Sequence, residues 1–123
     1  MKKTRLLAGL LSTAILFILA GCGESPTEAV KNWQNAIVTG DADKANSLST
    51  EKTHPLNQLI IASLKLERDN NGGPRIDDIK SSKFDKEEVM GDSAVVHYHT
   101  NKKSDQKINL IRINGKWYVD AQK

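Results

Sequence analysis

The side chains able to do chemistry here are few, and each has a plainer role beside the chemical one. His97 and His99 form an H-x-H pair, which on a strand places both imidazoles on one face. With a third ligand such as His54 or a carboxylate, that pair could hold zinc. No third ligand stands at a recognisable spacing, so two solvated histidines on an outer sheet face account for the same pattern. Glu67, Asp69, Asn71, Gly72 and Asp78 fall on positions 1, 3, 5, 6 and 12 of the calcium-loop template, whose first position is normally Asp and last normally Glu. Pro74 is awkward inside such a loop, and a helix end followed by a turn explains these residues without calcium. Trp33, Tyr98 and Trp117 could line a pocket, although both tryptophans sit on apolar stripes that suit a core. Lys102 and Lys103, with Lys107, read as a solvated hairpin tip that would touch anionic headgroups if it faced a membrane. No glycine-rich phosphate loop, nucleophile elbow or metalloprotease helix is present. The sequence thus assigns no catalytic residue, no metal ligand and no cofactor-binding residue.

The remaining reactive group is the thiol of Cys22, the single cysteine of the 123 residues. It follows Lys2, Lys3 and Arg5, then an apolar run from Leu6 to Ile18 broken only by Gly9, Ser12 and Thr13. That run is shorter than the roughly 20 residues a membrane-spanning helix needs. The stretch Leu19-Ala20-Gly21-Cys22 resembles a bacterial lipobox. A thioether can carry a diacylglycerol stably, whereas a serine ester would be labile. The resemblance implies cleavage between Gly21 and Cys22, lipid on the sulfur and acylation of the new amino terminus, palmitate being a typical chain. Each buried methylene then contributes about 0.8 kcal/mol, and two or more chains make anchoring effectively stable.

On this reading residues 1–21 are a signal peptide, 22–25 are the lipidated cysteine and a short tether, and 26–123 are a single domain. The tether Gly23-Glu24-Ser25 extends about 10 Å at most, so the domain rides close to its membrane. The expected place is a bacterial cell membrane or outer membrane, facing away from the cytoplasm. In a host with two membranes, Gly23 rather than Asp after the cysteine resembles outer-membrane sorting.

Charge narrows the partners. The chain has 18 basic and 15 acidic residues, but three of the basic ones and none of the acidic ones precede Cys22. The remainder balances to zero, which leaves no basic field to argue for nucleic acid. With the one thiol taken by lipid, the domain must be held together by its core. No cofactor is expected beyond the covalent lipid.

The elements that position these residues follow from period and punctuation. Ser25-Pro26-Thr27-Glu28 is a helix start with a capping box, and Ala29, Val30, Trp33, Ala36 and Ile37 recur at helical spacing until Gly40. Lys31, Asn32, Gln34 and Asn35 fall off that stripe. Asp41 caps a short second helix with Ala42, Ala45 and Leu48 on its apolar edge. A third helix is predicted from near Pro55 to about Glu67, with Leu56, Leu59, Ile60, Ile61 and Leu64 as a broad apolar face. Asn70-Asn71-Gly72-Gly73-Pro74 then breaks the chain.

Beyond it the period becomes two. A first strand is predicted within Ile79–Val89, a turn at Gly91-Asp92, and a second strand over Ser93–Thr100 with Ala94, Val96 and Tyr98 on one face. Asn101 to Asp105 is a polar turn. Ile108, Leu110, Ile111 and Ile113 form a third strand, and Asn114-Gly115 suits a type I′ hairpin returning through Trp117, Val119 and Ala121. Three helices followed by an antiparallel four-stranded meander make an α+β domain.

Pro26-Thr27-Glu28-Ala29-Val30 with Trp33, then Gly40-Asp41-Ala42-Asp43, resemble the opening of nuclear-transport-factor-2-like (NTF2-like) domains. Gly91 to Val96 and Asn114 to Val119 resemble the strand pattern of the same superfamily, and small bacterial lipoproteins bearing such a domain are similar. The resemblance implies a cone in which a curved sheet wraps the amino-terminal helix and the open end forms a cavity. It implies no catalytic pair that aligns with this chain. The expected function is a membrane-anchored, non-catalytic binding or interaction module, its partner an envelope protein or a small apolar ligand. The alternatives are an enzyme working in the cone cavity and a structural subunit pairing as a homodimer through its sheet face.

Overall fold

The computed structural model describes residues 23–71 and 73–121. Residues 1–21, expected from sequence to be a signal peptide, and Cys22, Gly72, Gln122 and Lys123 lie outside the described residues.

The first helix, α1 (Pro26–Thr39), begins where the capping residues place it. The Ser25 hydroxyl accepts the amide N–H of Glu28 at 3.1 Å, and Pro26 fills the first turn where its missing N–H costs nothing. The helix ends at Gly40, whose φ of 80° allows its amide to bond back to the last carbonyls. One stripe of α1, from Ala29 through Val30 and Trp33 to Ile37, is buried. Asp41 caps α2 (Ala42–Ser47) by accepting from the Lys44 amide at 3.1 Å. A single 3₁₀ turn at Glu51–Thr53 leads into α3 (His54–Asn71), which runs one turn past its predicted end.

Two expectations need correction. Residues 74–80 form a fourth helix, α4 (Pro74–Lys80), so Ile79 is helical and the first strand begins only at Lys83. The reason is local: Pro74 at the helix start presets φ, Asp77 favours the first turn, and Ile76 gives the segment a buried anchor. The buried face of α3 keeps the predicted Leu64, with Ile60 and Ile61 packed beside it, but does not include Leu59. Leu59 is 67% exposed, while Asn57, and Thr53 in the turn before the helix, are fully buried in line with Leu64.

The strands β1 (Lys83–Met90), β2 (Ser93–His99), β3 (Gln106–Ile113) and β4 (Lys116–Val119) form one antiparallel sheet in chain order. A bulge between Phe84 and Lys86 bends β1. Asn114 and Gly115 both have positive φ, 51° and 80°, as a type I′ turn requires. Register puts Ala94, Val96, Ile108, Leu110, Trp117 and Val119 on the face that packs against α1. Fully burying a valine, leucine or isoleucine contributes roughly 1.5–3 kcal/mol. The outer face carries Glu88, Val95, His97, His99, Lys107, Ile111 and Tyr118, and no element covers it among the described residues. The extended segment after α2 covers the far margin at one position: Val119 donates to the Leu48 carbonyl and accepts from the Thr50 amide, each at 2.9 Å.

Candidate functional site

Two clefts flank the helix–sheet seam, at opposite ends of the sheet. In an antiparallel meander the β1–β2 and β3–β4 turns share one end, and the β2–β3 turn lies at the other, roughly 25 Å away along the eight residues of β3.

The first cleft, ≈ 1020 Å³, sits at the β3–β4 turn end. Its wall includes Gly23, Glu24 and Ser25 with Pro26 at the start of α1, against Asn114, Gly115 and Lys116, with Trp117 beneath. The Arg112 guanidinium lies over the Trp117 ring at 4.8 Å from its centroid. It also reaches across to the other turn, donating to the Gly91 carbonyl at 2.8 Å and to Asp92 Oδ1 at 3.2 Å. Glu87 Oε1 accepts from both the amide and the hydroxyl of Thr27, at 3.1 and 2.6 Å, which pins the start of α1 to β1.

The second cleft, ≈ 610 Å³, opens between α1, α4 and the start of β1. Val38, Ile79 and Phe84 supply its apolar surface, and Lys31, Lys80 and Lys83 surround it with no carboxylate among the lining residues. Lys31 Nζ stands 5.5 Å from the Phe84 ring centroid. Gln34 Nε2 donates to the Ser82 hydroxyl at 3.3 Å across the seam. None of the three lysines takes part in an ion pair among the described residues. Sequence reading placed Lys31 and Gln34 on the polar side of α1 but could not see α4 bringing Lys80 opposite them.

The residues singled out from sequence are dispersed. Trp117 lines the first cleft; Trp33 and Tyr98 line neither. Trp33 is buried, with its Nε1 donating to Asn57 Oδ1 at 2.9 Å. Tyr98 stands 5.9 Å from Phe84, centroid to centroid, and burial pushes its phenol up from the ordinary range, helped by the Asp78 carboxylate. His97 meets Glu88 Oε1 at 3.0 Å and His99 meets both Asp85 oxygens at 3.1 Å, all on the outer sheet face. The His97 contact, then Lys86, holds the Glu88 carboxyl below its usual value. His54 is elsewhere, against the Asn46 carbonyl at 3.0 Å, and no trio of candidate metal ligands gathers among the described residues.

The calcium template does not close into a loop. Glu67 accepts the backbone N–H and Nε of Arg75, both at 2.7 Å, and Asp69 pairs with Lys65. Asp78 lies within α4, where it accepts from the Thr100 hydroxyl at 2.9 Å and the Lys102 amide at 3.0 Å. Those bonds also fix the tip bearing Lys102 and Lys103, which stands at the opposite end of the sheet from Gly23.

No family model matches the sequence, and no curated protein matches it. A solved structure does: a Campylobacter jejuni protein named as an NTF2-like transpeptidase superposes with a TM-score of 0.55 at 16% identity, over 80% of this chain and 100% of that one. The fold is NTF2-like. In this NTF2-like cone the sheet packs along α1, and the two clefts lie at the two ends of that contact.

Proposed function

We propose that this chain is a lipid-anchored binding module of the bacterial cell envelope, tethered through Cys22. Its ligand site is the cleft between α1, α4 and β1, and the ligand is a small molecule with an apolar body and an anionic group. The observation that carries this reading is the lining of that cleft: three lysines around Val38, Ile79 and Phe84, with no acidic residue among them. A volume of ≈ 610 Å³ suits a small organic ligand. Cationic amphipathic walls suit an anionic ligand with an apolar body, and no carboxylate or imidazole stands among the lining residues to pair with a lysine in acid–base work. The two histidine–carboxylate pairs stand on the outer face of the sheet instead.

A second reading is an enzyme acting on a small molecule in the same cleft, prompted by the transpeptidase name of the structural neighbour. Transpeptidation proceeds through a nucleophile such as a serine or cysteine. On the anchor reading the one thiol carries lipid, and the Ser82 hydroxyl on the cleft wall donates to the Ile79 carbonyl and accepts from Gln34, with no base beside it among the lining residues.

Mass spectrometry of the protein extracted from envelope membranes tests the anchor. The expected species begins at Cys22 and carries a diacylglyceryl thioether, and Cys22→Ser leaves the membrane fraction. A mature protein that starts elsewhere, or has an unmodified sulfur, overturns the reading.

A further inference from the structure

We infer that the end of the sheet bearing the β1–β2 and β3–β4 turns is a bilayer-contacting rim, and that the lipidated protein stands on it in one orientation. This rests on the lipid anchor at Cys22 proposed above. Gly23, the residue after that cysteine, packs here: a Cβ at its position would lie 3.4 Å from the Gly115 carbonyl oxygen. The chain therefore leaves the domain beside the β3–β4 turn.

Of the five exposed large hydrophobics among the described residues, three are at this same end. They are Val89 and Met90 at the close of β1 and Ile113 at the close of β3. Met90 and Ile113 share the outer face with half-buried Ile111 and Tyr118. Lys116 extends over the Tyr118 ring, 5.3 Å from its centroid. An aliphatic and aromatic edge with a long cationic side chain beside it is the composition that settles at a lipid headgroup boundary, to a depth of about 5–10 Å. The β2–β3 turn at the opposite end has Lys102, Lys103 and Asp105, and the other two exposed large hydrophobics, Leu59 and Leu66, stand on α3 rather than on the sheet.

The rim is built to act as a unit. Arg112 joins both turns through Gly91 and Asp92, and Glu87 fixes the first turn of α1. The tether spans about 10 Å, too little for the domain to turn over and present a tip roughly 25 Å away. In this orientation the lysine-lined cleft, at the start of β1, opens away from the lipid toward soluble ligands.

The test uses the full lipidated protein in phosphatidylethanolamine–phosphatidylglycerol vesicles. Because the Cys22 sulfur is blocked, Met90→Cys, Ile113→Cys and Lys102→Cys each supply a single thiol for a nitroxide label at an exposed position. On reconstitution, collision with an aqueous relaxation agent falls by about threefold or more at positions 90 and 113 and stays unchanged at 102. Equal accessibility at all three positions, or protection at 102 alone, overturns the rim while leaving the anchor intact. Intact mass on the same sample reports the lipid, and an unmodified Cys22 overturns both.

Discussion

Trp33 and Asn57 are the two halves of a buried hydrogen bond: the indole N–H of α1 donates to the amide oxygen of α3 at 2.9 Å. The same amide uses its nitrogen on Asn46 Oδ1 at 3.0 Å and on the Ser49 hydroxyl at 2.9 Å. One fully buried side chain thus links α1, α2 and α3. Asn57→Ala leaves the indole N–H unpaired, at a cost of roughly 1–3 kcal/mol for a buried orphaned group. A drop of about 2–3 kcal/mol is expected from urea unfolding. A change under about 0.5 kcal/mol would show that the network does not hold the helices together.

The alkaline limit of stability depends in part on Tyr98. Burial, then the nearby Asp78 carboxylate, raises its pKa above the ordinary 10.0. The folded state favours the neutral phenol, so its contribution is intact below about pH 10 and is lost as pH rises through the folded value. Thermal melts from pH 8 to 11.5 are expected to fall less steeply for Tyr98→Phe than for the parent. Superimposable profiles would refute the assignment.

At the acid end the staple between α3 and α4 sets the trend. The Arg75 backbone N–H, then its side chain, holds the Glu67 carboxyl below its usual 4.5. That contribution is present above about pH 4.5 and is lost as pH falls through the lowered folded value. Glu67→Gln removes this acid sensitivity. The difference in Tm between pH 7 and pH 3 should shrink in the variant, and an unchanged difference contradicts the staple.

The lysine-lined cleft makes a charge-selective prediction. An anionic aromatic dye, anilinonaphthalene sulfonate, is expected to bind the folded domain and to weaken about tenfold in Lys31→Glu with Lys83→Glu, as removing favourable charge contacts of about 1.4 kcal/mol would do. Raising salt should weaken the parent more than the variant, because screening acts on the exposed lysines. Equal affinities before and after substitution would exclude the cleft as the binding site.

Much of the fold was legible because its signals are local. Ser25-Pro26, Gly40, Gly91 and Asn114-Gly115 mark element ends through backbone geometry alone, and alternation over 93–100 shows which strand face turns inward. The misreadings came where tertiary contact outranks pattern. Counting apolar residues along α3 selected Leu59 and passed over Asn57, because a polar side chain with every hydrogen bond met is as buried as a leucine. Helix α4 was hidden by the breaker residues around it, since Pro74 both ends one helix and begins the next. The cleft was illegible for the same reason: Lys31, Lys80 and Lys83 are ordinary surface lysines until α4 brings them together.

The covered margin of the sheet has a consequence for a crowded surface. Molecules fixed in one plane meet side by side far more often than in free solution, and open strand edges would then template fibres. Here Val119 has no free ladder groups to offer, because Leu48 and Thr50 have taken them. The other margin, β1, presents Lys83, Asp85, Lys86, Glu87 and Glu88, a mixed-charge fringe that resists a second strand. Edge-to-edge pairing between neighbouring copies is thereby disfavoured at β1 and at Val119.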